Sequence, residues 1–459
     1  MKYYKLTAVF FTVLFSMSLL VSCEYDDVNQ DPTRPGGESV PLVAIVPAMQ
    51  TQTHRNIGAV LGRYGGIIMQ QWQGFDAQQL QYTSYVIGEN DTNNPWDFGL
   101  YTGSMRDAAD IIERATATEA PNTRGLAKIY MAINLGVATN VWGDVPYSEA
   151  FMGEENLTPK YDDQEELYGV LQTLLSEAIT DLEAEDPAGI QGDLIGGSND
   201  QWIATAHALK ARFYIQQTSV KSDAAQQALT EAQMAMESNG GQLDFMWENT
   251  QNGGHPLALF GFQRPNTMII GDFFADLMME DPRMDLYMTP DEGDLFLYFD
   301  ASNPNLFWAK LDSPSPVISY SELKFIEAEA LERTGGDGSE ALEEAIRANL
   351  AYLGVSAGDT EDYIGSVGDA SIETIIIEKY KAMYGQAPIQ VWNDYRRTGF
   401  PDITPDPNGE NGNDPSGIIP RRLLYPISER QSNPDAYQAA IDAQGGHLLD
   451  DDIWVFPRN

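Results

Sequence analysis

The sequence predicts a mainly α-helical protein built from paired helices, and three observations predict it. From about Arg124 onward, apolar residues return at helix spacing in segment after segment. Short turns join these segments, so neighbouring helices must lie side by side. Hydrophobic residues make up 43% of the 459-residue chain, and 8 Trp, 22 Tyr and 18 Phe supply a packed core rather than a disordered acidic chain.

At the N-terminus, Lys2 and Lys5 precede an apolar stretch, Leu6 to Val21, too short to span a bilayer comfortably but suited to a secretory signal. Ser22 is the small residue expected before a cleavage site, and Cys23 is the only cysteine in the chain. The run Leu20-Val21-Ser22-Cys23 is similar to a bacterial lipobox, in which the thiol is acylated and becomes the first residue. Residues 1–22 are therefore expected to be a lipoprotein signal peptide. Residues 23–40, with Pro32, Pro35, Gly36 and Gly37 and no periodicity, are expected to be a lipidated flexible tether. No disulfide is then available, and attachment to the membrane is through lipid alone. With 27 Lys and Arg against 68 Asp and Glu, the formal charge of −41 argues against nucleic acid and against electrostatic binding to anionic lipid.

Residues 41–459 read as one α-helical domain. Leu126, Ile129, Tyr130, Ile133, Val137 and Val141 form a helical stripe, with Ala127, Ala132, Gly136 and Ala138 filling the other faces. Gly143 and Pro146 stop it. Leu167, Leu171, Leu174, Ala178 and Leu182 give a second stripe. Trp202, Ala206, Leu209 and Phe213 give a third, after the capping side chains of Ser198, Asn199 and Asp200. Stripes around Leu323, Leu342 and Ile372 follow. Two-helix units of about 34 residues are tetratricopeptide-like. No strict consensus recurs, so the expected architecture is a set of divergent pairs forming a right-handed superhelical scaffold. Two loop-rich regions interrupt it, one at about 242–316 and one at 401–420. The first carries Phe296, Tyr298, Phe307 and Trp308, which suits an ordered insertion lying on the scaffold.

Signatures of catalysis are largely missing. His54, His207, His255 and His447 are scattered and form no H-E-x-x-H pair. Gly336-Asp337-Gly338 joins two helices without a preceding strand, so it reads as a turn and cap rather than a dinucleotide site. Asp406 opens a stretch that begins like a calcium loop, yet Asn411 stands where Gly is needed and Gly417 where a bidentate Glu belongs. No cofactor is expected, with an adventitious or structural calcium left open. Asp450-Asp451-Asp452 reads as a solvated run.

These motifs together resemble the SusD/RagB nutrient-binding outer-membrane lipoproteins of Bacteroidetes, in the SusD-like branch. The resemblance rests on Asn29-Gln30-Asp31-Pro32, Trp142-Gly143-Asp144-Val145-Pro146-Tyr147, Trp202-Ile203-Ala204 and Glu327-Ala328-Glu329-Ala330. It continues through Trp392-Asn393-Asp394-Tyr395-Arg396-Arg397 to Arg421-Arg422-Leu423-Leu424-Tyr425-Pro426. Tyr380 departs from it, standing where tryptophan is common. The four arginines are expected to serve the fold by pairing with helix acids or carbonyl ends. Glu24, Asp26 and Asp27, just after Cys23, resemble the signal that sends such lipoproteins to the outer face of the outer membrane.

The resemblance implies a non-enzymatic subunit that captures an oligomeric nutrient, an oligosaccharide ahead of a peptide, with the peptide left open. It would deliver this to a TonB-dependent outer-membrane transporter as its lid. Sugar rings stack on aromatic faces and need amide or carboxylate partners for their hydroxyls. Near the first helices the expected ligand residues are Trp72, Tyr82, Asn93 and Trp96; in the insertion they are Phe296, Tyr298 and Trp308. Core packing competes for every aromatic among them, most of all for Trp96. Two other classes fit the same residues: a lipid-anchored helical glycosidase or lyase, and a transporter scaffold with little ligand affinity of its own.

Overall fold

The computed structural model describes residues 40–458; the expected signal peptide, Cys23 and nearly all of the expected tether lie outside them. The longest helix shows how the sequence builds the array. Helix α4 (Pro121–Trp142) starts with Pro at its first position and stops at Gly143, whose φ of 88° an L side chain rarely adopts. It is buried on nearly every face. Its small residues permit this, since a Cβ on Gly136 would meet the Phe213 ring at 2.4 Å.

Before α4 come α1 (Leu42–Gly58), α2 (Val60–Ile68) and α3 (Met105–Ala117). After it come α5 (Gln164–Glu183), α6 (Asn199–Gln216) and α7 (Ala224–Ala232). The caps follow the sequence: Asp163 accepts from Glu165 N at 2.8 Å, and Ser198 and Gln201 form a reciprocal capping box. The later helices are α8 (Tyr320–Arg333), α9 (Ser339–Leu353), α10 (Ala357–Ile364), α11 (Ile372–Ala382) and α12 (Pro388–Thr398).

Each helix from α3 to α7 packs on the next, and α7 then packs directly on α8 although residues 233–319 intervene in the chain. The helical array thus continues across the insertion. A bidentate pair between Arg212 on α6 and Glu322 on α8, with both distances 2.7 Å, braces that junction. Helix α12 returns to pack on α2.

The insertion is folded. Strand β2 (Asp244–Met246) pairs antiparallel with β6 (Pro314–Pro316), so its two ends close on each other. Between them lie β3 (Met268–Ile270), the short pair β4 (Thr289–Pro290) and β5 (Phe296–Leu297), and brief helices including Pro256–Gln263. Strand β1 (Trp72–Gly74) pairs with β3, matching Trp72 with Ile270. This ladder ties the insertion to the segment after α2.

The conspicuous arginines hold the fold together. Arg397 is fully buried against Glu329 on α8 and against Asp394. Arg396 stacks on Trp392 at 3.9 Å and donates to the Arg421 carbonyl at 2.7 Å. Arg421 donates to the Phe456 carbonyl at 2.6 Å, and Arg422 to Gln444 at 3.1 Å. One expectation changes: Asp450 is buried, while Asp452 binds Arg421 and Arg458. The acidic run therefore anchors the C-terminus rather than sitting in water. No helix of the described residues is long and apolar enough to cross a membrane.

Candidate functional site

Backbone strain points to the site first. Among the described residues seven non-glycine residues have positive φ, and Gln70 (55°), Ala77 (51°) and Tyr85 (57°) fall within one short segment after α2. Such strain persists only where the surroundings hold it, and it gathers at binding sites. A π-helix, Pro95–Ser104, follows on the same segment.

Packing explains how the strain is held. The 401–420 loop folds back onto this segment, with Gln70 Nε2 donating to the Thr404 carbonyl at 2.7 Å. The Tyr85 hydroxyl accepts from Asp406 N at 3.0 Å, and Asn413 Nδ2 donates to the Ile87 carbonyl at 3.0 Å. Burial pushes the Tyr85 phenol up to about 12, so it stays protonated. Asp406, the start of the calcium-like stretch, instead accepts from Ser84 Oγ and Asn408 N. Among the described residues no three His, Cys, Asp or Glu side chains are grouped to hold a metal ion.

Two clefts flank the short helix Ala77–Thr83. One, of about 260 Å³, is lined by Gln70, Trp72, Gln73, Asp272, Phe273, Thr404 and Asp406. The other, of about 140 Å³, is lined by Arg63, Gln78, Gln79, Tyr82, Asn90, Asp91 and Asn94. In the second, Tyr64 and Tyr82 meet edge to face at 4.9 Å, and both donate to Asp91, to its carbonyl and carboxylate respectively at 2.9 Å. Gln79 is buried at the cleft wall, and its Oε1 accepts from no group among the described residues. Phe75 and Leu80, between the cleft residues along the chain, are half exposed, and Phe98 is 70% exposed. Amide side chains are partners that hydroxyl-rich ligands need.

The residues chosen from sequence separate here. A ring that stacks on a sugar needs an open face, and five of the aromatics close theirs. Trp72, Tyr82, Trp96, Tyr298 and Trp308 are all between 1% and 4% exposed. Trp72 and Tyr82 still wall the two clefts, with Trp72 Nε1 donating to the Tyr384 hydroxyl at 3.1 Å. Trp96 instead packs within 5.1 Å of Trp142 and 5.9 Å of Tyr425 in the core. Trp308 packs on Phe307 at 4.8 Å. Asn93 accepts from Ser428 N at 3.2 Å and lines neither cleft, while its neighbour Asn94 does. Phe296 is half-buried in β5.

Sequence reasoning missed Arg63, Gln78 and Gln79, which line the smaller cleft. The glutamine-rich stretch from Gln70 to Gln81 was the available signal. Elsewhere, burial holds His54 and His255 neutral, lowering each to about 3, and His54 stacks on Phe245 at 4.7 Å.

Fold and clefts together define a helical-array scaffold that presents a polar, amide-lined surface beside a braced loop. The chain belongs to the SusD-like family described as "starch-binding associating with outer membrane", whose model matches residues 38–426. Solved structures share the fold. A chitin-binding SusD homolog from Flavobacterium johnsoniae superposes with a TM-score of 0.76 at 19% identity, covering 90% of this chain and 99% of that one. A SusD/RagB family protein from Bacteroides thetaiotaomicron gives 0.75 at 22% identity, covering 92% and 100%. A SusD homolog from Bacteroides fragilis gives 0.72 at 23%, covering 89% and 99%. No curated protein matches the sequence.

Proposed function

We propose that this protein is a glycan-binding lipoprotein of the outer membrane, anchored by acylated Cys23 and facing the cell exterior. It captures an oligosaccharide without converting it and hands it to a TonB-dependent transporter, over which it acts as a lid. The observation that carries the binding role is the pair of clefts around Ala77–Thr83, with amide walls and with the exposed Phe75 close by in the chain. Amides supply both donors and acceptors to ring hydroxyls. The chitin-binding structural relatives support the same reading. Binding of this kind needs no cofactor.

Calorimetry of the purified protein against chito- and malto-oligosaccharides, with chromatography of the mixtures, tests it. One oligosaccharide should bind and be recovered intact, and Phe75→Ala with Gln78→Ala should weaken it at least tenfold. Failure of every oligosaccharide to bind, or the appearance of cleavage products, would overturn the proposal. Cys23→Ala should move the protein from the membrane to the soluble fraction; retention in the membrane would sink the anchor.

A further inference from the structure

In a chain with 68 acids against 27 bases, an arginine should find a carboxylate easily. Arg63 does not. Its guanidinium lies over the Phe260 ring at 4.1 Å and lines the smaller cleft, yet it has no hydrogen-bond or ion-pair partner among the described residues. A second guanidinium without a partner among the described residues is close by. Arg264 follows Phe260 by one helical turn, its backbone N–H donating to the Phe260 carbonyl at 2.8 Å, and its side chain is exposed. Burial, with the charge of Arg264 adding to it, lowers the Arg63 pKa from its ordinary value despite the tyrosine hydroxyls around it.

The acid in the same cleft does not answer this charge. Asp91 Oδ1 accepts from Gln78 and Tyr82, each at 2.9 Å, and Oδ2 accepts from Gly88 N at 2.8 Å. Two other polar atoms nearby also lack partners: Gln79 Oε1, and the hydroxyl of Tyr298, which neighbours Arg63. Desolvating a cation without a counter-charge is costly, and a planar guanidinium is best satisfied by a two-oxygen anion. A neutral sugar would meet the N–H groups but leave the charge.

We infer that the cleft between Arg63 and Gln79 takes an acidic sugar. The ring's carboxylate or sulfate binds Arg63 and Arg264, and a ring hydroxyl donates to Gln79 Oε1. The inference rests on the glycan-binding reading and narrows it. At about 140 Å³ the cleft is smaller than the ~300–1,000 Å³ typical of whole small-molecule sites. It therefore holds one charged unit of a longer chain, whose neighbours extend over the rim.

The test is calorimetry on the full chain in detergent with four probes. These are tetragalacturonate, its methyl ester, a sulfated galactan tetrasaccharide and its desulfated form, each at low and high NaCl. One acidic probe should bind at least tenfold tighter than its neutral counterpart and lose most of that advantage in high salt. Which probe wins distinguishes carboxylate from sulfate. Arg264→Ser, at an exposed position that leaves folding intact, should cut the preference about threefold, and Arg63→Gln should abolish it. The readout in both is the ratio of acidic to neutral affinity, so a loss shared equally by the two forms does not count as loss of preference. Equal binding of acidic and neutral probes, or a preference that survives both substitutions, overturns the acidic-sugar assignment and leaves glycan capture standing. Failure of all four probes and of the neutral oligosaccharides overturns both.

Discussion

Replacing Glu329 by Gln tests the claim that the family-like motifs serve the fold. Glu329 on α8 is fully buried, with both oxygens facing Arg397 and with Arg333 Nε at 2.6 Å. Asp394 shares Arg397 at 2.7 Å and is itself bound by Lys379 at 2.8 Å, so the network joins α8, α11 and α12. Burial alone would raise the carboxyl pKa; Arg397, then Arg333 and Lys379, reverse this and hold it at about 2 against an ordinary 4.5. At about 1.36 kcal/mol per pH unit, that gap amounts to roughly 3 kcal/mol. Because the folded pKa is depressed, this stability is complete above pH 4.5 and is lost as pH falls toward 2. Linkage leaves about 1.4 kcal/mol of it at pH 3.

Glu329→Gln also leaves Arg397 with a single counter-charge in a dry site, and breaking a buried pair costs about 3–5 kcal/mol. Urea denaturation followed by circular dichroism should therefore show a loss in that range at pH 7.5. The loss should shrink by roughly 2 kcal/mol at pH 3, with the denaturant slope unchanged. A loss below about 1 kcal/mol at neutral pH, or one that does not change with pH, would refute the role assigned to this network.

Two further outcomes follow from packing and charge. Asp414 is buried with no well-aligned donor on either oxygen; burial and then Asp450 push its pKa up to about 6, against nearby N–H groups that pull it down. Its ionisation in the folded state is thus unfavourable, and stability from this group is full below pH 3.8 and lost as pH rises through 6. Asp414→Asn should raise stability at pH 7.5 by about 1–2 kcal/mol, after discounting for screening, and change little at pH 4. A lower Tm at pH 7.5 would refute this. Gly66→Ala would place a Cβ 2.2 Å from the Trp72 ring, which walls the larger cleft. The displaced indole should cost about 1–3 kcal/mol in urea denaturation, and an unchanged midpoint would show that the wall is soft.

Much of the fold was legible along the chain because its causes are local. The stripe through Leu126 and Val141, the stop at Gly143 and the capping residues Asp163 and Ser198 all act within a few residues of the helices they shape. The structural role of Arg396, Arg397, Arg421 and Arg422 was legible too, since arginine within a run of aromatics and acids must find partners to be buried. Cys23 and its apolar leader likewise argue for an anchor from sequence alone, and they lie outside the described residues.

The site was less legible. Trp72, Trp96 and Trp308 have the residue type that stacks on sugars, yet whether a ring is open depends on what other chain segments bring against it. Trp96 is closed by Trp142 and Tyr425, and Trp72 is covered through the pairing of β1 with β3. Arg63 illustrates the reverse: nothing local marks it, and it stands out only because folding sets Phe260 beneath it while the nearby Asp91 carboxylate is taken by Gln78, Tyr82 and Gly88. Sequence by itself determined helices and caps, because propensity and periodicity are short-range. Tertiary structure decided which aromatics are core and which cation is unpaired, because burial and charge compensation depend on residues far apart in the chain.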